Sequence, residues 1–452
     1  MCANDLMFGN QEKEKIKCIR KRFKNAVKCG TGETHLLMRD HPQIDFSNDI
    51  IKAALKNLSY DNQCEGSRAT YVFELIQLSH KKEKIRQAVL KALSTEREDA
   101  YALDQLFDIA VLFAKQGDEE AKRAIYRRFY KKTIEGSEWI GQDAILSMDG
   151  IEGLKHIAKI KGKIMQNDPE EWEDSFLIDQ FQEENSTIDV YKELEKAGIS
   201  NKYIKTYIDI VRKHKVRHQK CHKKRSRPRY NYDMVSRKIN SLAIVPLHSF
   251  AAKELSEDDV KKLADDFLAE TDRLRLEKYM RVFDLIKFPY DYQPILMLAK
   301  GKNRKRLKDP TPYQKYDRLV EYACGALRFF SGTDIRRFAI SKLKGGKHSS
   351  DYLGLLVSNY KKGDSKLLED IIVQCKNEDV LHSLVFGIID IYEANKTKEC
   401  KKPLEAMYGK LNCGIHREDI IKILIENNVL SSRLKDEIKF DSYEDVRELL
   451  NV

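Results

Sequence analysis

Four short windows of this chain repeat one pattern, with apolar side chains at i, i+3, i+4 and beyond. In SRATYVFELIQL (67–78) the face is Ala69, Val72, Phe73 and Ile76, and in KIRQAVLKALS (84–94) it is Ile85, Ala88, Val89 and Ala92. DEEAKRAIYRRF (118–129) offers Ala121, Ala124, Ile125 and Phe129, and VLHSLVFGIIDIY (380–392) offers Leu381, Leu384, Val385, Ile388, Ile389 and Tyr392. That spacing draws one apolar stripe along a helix. A helix this short cannot bury its stripe alone, so it must lie against others. Strand-like alternation has almost no place to form: NSLAIVPLH (240–248) is the one ambiguous apolar run, and Pro246 argues against a central strand. With 21 Gly and 9 Pro in 452 residues, the chain lacks the turn residues of a sandwich or barrel. The expected fold is all-α.

The punctuation between helices also recurs. AKQGDEEAKRAI (114–125) and YKKGDSKLLEDI (360–371) share a Gly-Asp step before an acidic amphipathic run. Gly117 and Gly363 suit the left-handed residue that ends a helix, and Asp118 and Asp364 suit the cap of the next. GTDIRRFAISKL (332–343) and SYEDVRELL (442–450) share Asp, a β-branched residue and Arg: Asp334–Ile335–Arg336 and Asp445–Val446–Arg447. These pieces resemble HEAT-like α-solenoids, in which an Asp at the inter-helix turn and an Arg in the following helix help tie consecutive repeats together. The resemblance covers about 48–215 and 256–450 loosely. It implies helix pairs stacked into an α-α superhelix, an armadillo-type architecture, and it implies no reaction.

Four regions follow from the pattern. Residues 1–29 hold a basic amphipathic helix with Ile16, Ile19, Phe23 and Val27 on one face. Residues 30–215 form an N-terminal helical-repeat array and 251–452 a C-terminal one. Between them, 216–250 reads as an irregular basic connector or long inserted loop, because prolines cluster from 228 onward. Helices are expected to resume at LSEDDVKKLADDFLAETD (255–272), with Ser256 and Asp259 placed for a near capping box, and FPYDYQPILMLAKG (288–301) reads as a Pro-started helix.

Charge is concentrated in one place. VRKHKVRHQKCHKKRSRPRY (211–230) carries ten Lys or Arg and no acid, and removing those ten leaves 72 basic against 71 acidic residues. A polyanionic partner would act mainly through Arg212, Lys213, Lys215, Arg217, Lys220, Lys223, Lys224, Arg225, Arg227 and Arg229. Tyr230 and Tyr232 could stack on unpaired bases, and the run AKGKNRKRLKDP, with Lys300, Lys302, Arg304, Lys305 and Arg306, could extend the surface. A solvated face or an acidic protein partner explains such runs equally well.

The same segment holds His214, His218, Cys221 and His222, with the first two one helical turn apart. Their neighbours Lys213, Lys215, Arg217 and Lys220 would repel a dication, so no metal and no cofactor is expected. Nine cysteines are spread without a C-x-x-C pair, no leader pattern opens the chain, and no apolar run is long enough to span a bilayer. Reduced thiols, a cytoplasmic location and no membrane contact are the expectation.

Some HEAT-like proteins are DNA glycosylases for alkylated purines, with a Trp and an Asp one turn apart. EWIGQDAI (138–145) offers Trp139 and Asp143 at that spacing, although a core Trp and a surface Asp are the plainer account. Phosphate-loop, nucleophile-elbow, zinc-protease and dinucleotide motifs are absent from the sequence. The expected role is therefore non-enzymatic: an intracellular scaffold that binds a protein partner through a helical-repeat surface. Nucleic-acid binding through 211–230 is the alternative, and an alkylpurine glycosylase comes third.

Overall fold

A computed structural model describes residues 3–129, 131, 134, 137, 139–168, 173–221, 230–241, 254–301, 306, 316–345 and 350–450, with side chains from residue 12 onward except 216–221. Among these residues helix follows helix, and the only extended pairing is an isolated bridge between Arg306 and Tyr316. The chain is all-α. Among the described residues no helix is long and apolar enough to cross a membrane, and no two cysteines are bonded to one another.

The four apolar stripes form where their spacing places them. Helices Ala69–Leu78, Lys82–Thr95, Glu119–Phe129 and Glu378–Ala394 bury Val72 and Ile76, Ile85 and Val89, Ala121 and Ile125, and Leu384 and Ile388. Each Val, Ile or Leu side chain so removed from water contributes on the order of 1.5–3 kcal/mol before entropy is counted, and Ala121 less. The capping box at Ser256 is complete: Asp259 N–H donates to Ser256 Oγ at 3.2 Å, and Ser256 N–H donates to Asp259 at 3.1 Å. Pro294 lies in the first turn of helix Gln293–Lys300.

The described chain packs as two compact units. The first takes in residues 1–225 with 412–414 and 436–452, and the second takes in 226–411 and 415–435. In the first, one continuous core runs from Ile19 to Val211. Helix Ala100–Lys115 packs against Ala69–Leu78, Lys82–Thr95 and Glu119–Phe129, while Gln142–Asn167 packs along Lys202–Cys221. The C-terminal stretch is bound into this unit. Ser442 N–H donates to Gly30 C=O at 2.7 Å, Arg447 grips Glu74 at 2.8 and 3.0 Å, and the His35 ring stacks on Phe440.

Both Gly-Asp steps carry a left-handed glycine, with φ of 92° at Gly117 and 93° at Gly363. Asp118 caps as expected, accepting from Glu120 N–H and Ala121 N–H at 3.0 Å each. Asp364 does not. It sits inside helix Asp364–Gln374, and its carboxylate accepts from Arg336 at 2.5 and 2.7 Å. Asp118 likewise accepts from Arg86 at 2.9 Å. In each unit the Gly-Asp carboxylate therefore takes an arginine from an earlier helix. The difference is one of register: the second helix begins on Asp364 itself, with Gly363 at the cap position, so this carboxylate lies within the first turn and accepts from Lys361 N–H at 2.8 Å instead. Asp334 reaches the other way, accepting from Tyr292 Oη at 2.8 Å and Gln293 Nε2 at 2.7 Å.

The stretch 216–250, read as irregular, contains regular structure. Helix Lys202–Cys221 carries the backbone well into the basic segment. A further helix, Tyr232–Asn240, is capped by Asn231, which accepts from Met234 N–H at 3.0 Å. Val235 and Ile239, one turn apart, are buried, and the helix packs on Glu257–Ala269 and Arg273–Phe283. Two apolar residues at i, i+4 behind a good cap outweigh the polar composition around them.

Candidate binding surface

The surface is built on helix Ala100–Lys115. Asp99 caps it, accepting from Ala102 N–H at 2.9 Å. Leu103, Leu106, Phe107 and Ile109 turn into the core, which leaves Asp104 and Asp108, one turn apart, on the partly exposed side. Ser67 Oγ donates to Asp108. A second element arrives beside them. Gly141 has φ of 88° and stands so close to the Phe107 ring that a Cβ there would lie 2.7 Å from it. This turn opens helix Gln142–Asn167 against Ala100–Lys115, with Trp139 just before it and Asp143 in its first turn.

The electrostatics are one-sided. Burial, then the charges of Asp108 and Asp143, push the Asp104 carboxyl up to about 7. Asp108 is also raised, mainly by burial, with Asp143 adding to it and the Ser67 hydroxyl opposing. Burial and the charge of Glu184 raise Asp143. Burial is the largest cause at all three carboxyls, and repulsion from neighbouring acids adds to it. The Trp139 indole, four residues before Asp143 in the chain, is 51% exposed. An aromatic face next to clustered carboxylates suits a lysine or arginine side chain, through ion pairing and cation–π attraction together.

Trp139 and Asp143 thus share a locality but not a helix face, because Trp139 lies in the preceding turn. Asp104, Asp108 and Glu184 lie near Asp143, and this gathering of acids opposes the approach of a phosphate backbone. Trp172 lies outside the described residues.

The basic segment divides into two parts. Arg212 pairs with Glu195 and lies over the Tyr191 ring at 5.7 Å, and Lys215 pairs with Asp179 at 2.7 Å and lies over the same ring at 5.0 Å. Lys213 points to solvent. Arg217 and Lys220 have a helical backbone but no described side chain, and Lys223, Lys224, Arg225, Arg227 and Arg229 lie outside the described residues, as do Lys302, Arg304 and Lys305. Two of the three described cations are already neutralised within the first unit, and Tyr191 draws them onto it.

The metal-type residues of the segment cannot be placed as a set, since the side chains of His218, Cys221 and His222 are not described. In the second unit, His382 and His416 face each other edge-on with ring centroids 4.7 Å apart, and Phe386 packs against both. Burial, then the charge of His382, lowers His416 to about 4, so its imidazole is neutral and could offer a nitrogen to a transition metal. Two imidazoles make half of a tetrahedral set. The C-x-x-H spacing of Cys413 and His416 is the sequence signal that would have directed attention there. The acidic surface had a weaker signal, the i, i+4 pair Asp104 and Asp108 inside an otherwise apolar helix.

Compared with known proteins, the chain matches no family model and no curated sequence.

Proposed function

We propose that this chain is a non-enzymatic, intracellular HEAT-like scaffold, and that its first unit holds a lysine- or arginine-bearing segment of a partner protein on the surface of Asp104, Asp108, Asp143 and Trp139. The observation that carries the reading is the meeting of Asp104 and Asp108, one turn apart on helix Ala100–Lys115, with Asp143 from the helix that the Gly141 turn sets against Phe107. A bound cation would relieve the repulsion among these carboxylates. The exposed Trp139 supplies an anchor of the kind enriched at protein interfaces. The repeat reading is supported by Arg86–Asp118 and Arg336–Asp364, which tie helical hairpins together at equivalent Gly-Asp turns. A nucleic-acid role for 211–230 has less support, since Arg212 and Lys215 already have acidic partners.

The test is titration of the full chain with a fluorescent lysine- and arginine-rich peptide, with a glutamate-rich peptide as control. Affinity for the basic peptide should rise about tenfold from pH 6 to pH 8, as Asp104 ionises. The double variant Asp104→Asn, Asp108→Asn should bind at least tenfold more weakly. The same change should raise the urea midpoint at pH 8. An acid whose folded pKa is raised costs stability progressively as pH rises from its unfolded value of 3.8 to its folded value of about 7, so the cost is complete at pH 8 and Asn removes it. Binding that ignores both pH and the double substitution would sink the proposal.

A further inference from the structure

In the second unit, helices Glu378–Ala394 and Gly414–Glu426 each present a histidine, His382 and His416. Packing fixes where both stand. Leu381, Leu384 and Val385 around His382 are buried, and Asn377 caps that helix, accepting from Val380 N–H at 2.9 Å. Arg417, next to His416, is fully buried and donates to the Leu411 carbonyl at 3.1 Å, which anchors the start of the other helix. The two imidazoles are half-buried, so each remains partly open to water. One nitrogen of each lies within 4.8 Å of the other. A tetrahedral ion with bonds of about 2.0–2.1 Å holds two nitrogens roughly 3.4 Å apart. Modest ring rotations close that gap, and half-buried side chains have room to make them.

The flanking charges favour a cation. Glu378 and Asp379 precede His382, and Glu418 and Asp419 follow His416, against the two cations Arg417 and Lys422, of which Lys422 is paired with Glu418. Asp379 and Asp419 each stand three residues from their histidine, on the same side of the helix. The opposite holds for His214, His218 and His222, which stand among lysines and arginines. The plainer account is an aromatic cluster, since Phe386 packs against His416 and His382 with ring centroids 4.5 and 5.5 Å away. Packing alone does not call for imidazole, because phenylalanine fills such a place without bringing polar nitrogens out of water. A neutral imidazole has two nitrogens, so one can bind a metal while the other keeps a hydrogen-bond partner. We infer that His382 and His416 together bind a divalent transition-metal ion of the zinc class, with water completing its coordination. Imidazole suits zinc, copper and nickel, whereas magnesium and calcium take oxygen ligands. The ion would tie two helices of the second unit together. The inference is independent of the basic-peptide surface, which belongs to the first unit.

Equilibrium dialysis of the full chain against zinc tests it, with magnesium in parallel. His382→Phe and His416→Phe, made singly, keep a ring in each place, and circular dichroism checks that both fold. Each should take up one zinc ion fewer than the parent, or bind that ion at least tenfold more weakly. His382→Gln, smaller and polar, should lose the same ion, which separates the lost ligand from an oversized ring. Zinc should also raise the urea midpoint of the parent relative to all three variants, because an ion bound only in the folded state stabilises it. Thiols and histidines elsewhere would bind zinc equally in parent and variants. Equal uptake in parent and variants, midpoints that zinc shifts alike in both, or magnesium acting as zinc does would each overturn the inference.

Discussion

Gly162→Leu is expected to destabilise the first unit by about 3 kcal/mol or more, the largest effect of a single substitution anticipated here. Gly162 lies where helix Gln142–Asn167 crosses Lys202–Cys221, and a Cβ there would overlap the Tyr203 carbonyl oxygen. The obstacle is backbone, so no rotamer change relieves it, and the helices would have to move apart along their most extensive contact. Gly198→Ala is the control. Its Cβ would meet Lys205 at an ordinary 3.4 Å, and alanine in that helix should be neutral or stabilise by about 0.5–1 kcal/mol. Both tryptophans, Trp139 and Trp172, fall within residues 1–225, so indole fluorescence during urea unfolding reports on this unit. A midpoint for Gly162→Leu equal to the parent would refute the close crossing.

Arg447→Ala should cost about 1–2 kcal/mol at pH 7, and the cost should shrink in acid. Arg447 donates to both Glu74 oxygens, and His35 Nε2 lies 3.3 Å from the same carboxylate. Burial acts to raise the Glu74 carboxyl, yet the bonds from His35 and Arg447 outweigh it and hold it at about 2 rather than 4.5. The folded value is lowered, so the contribution is full above the unfolded value near 4.5 and is lost as pH falls toward 2. Midpoints for the parent and Arg447→Ala should therefore differ clearly at pH 7 and converge near pH 2–3. Lys439→Ala, which breaks the exposed pair with Asp436 at 3.0 Å, should change stability by only a few tenths of a kcal/mol. A parent–variant gap that stays constant with pH would show that Glu74 does not carry the effect.

The candidate surface was partly visible in the sequence. Asp104 and Asp108 stand one turn apart in an apolar helix, which marks a face as unusual. Asp143 stands out in the sequence by its spacing from Trp139. The turn at Gly141 brings Asp143 near enough to Asp104 and Asp108 to act on both carboxyls. The charge run at 211–230 was the loudest signal, and it proved divided. Its first turns continue a helix that lays Arg212 and Lys215 over Tyr191.

By itself the sequence determined where helices form, since that rests on apolar spacing, caps and left-handed glycines within a few residues of one another. Tertiary structure alone decided which charges meet. Arg447 finds Glu74 across 373 residues, Arg86 takes Asp118 from the next hairpin, and Asp104 is raised by a carboxylate from another helix. A helix needs only its own hydrogen bonds and one apolar stripe. A charge takes its energy from every neighbour within several ångströms and from the water they displace, and packing chooses those neighbours without regard to their order in the chain.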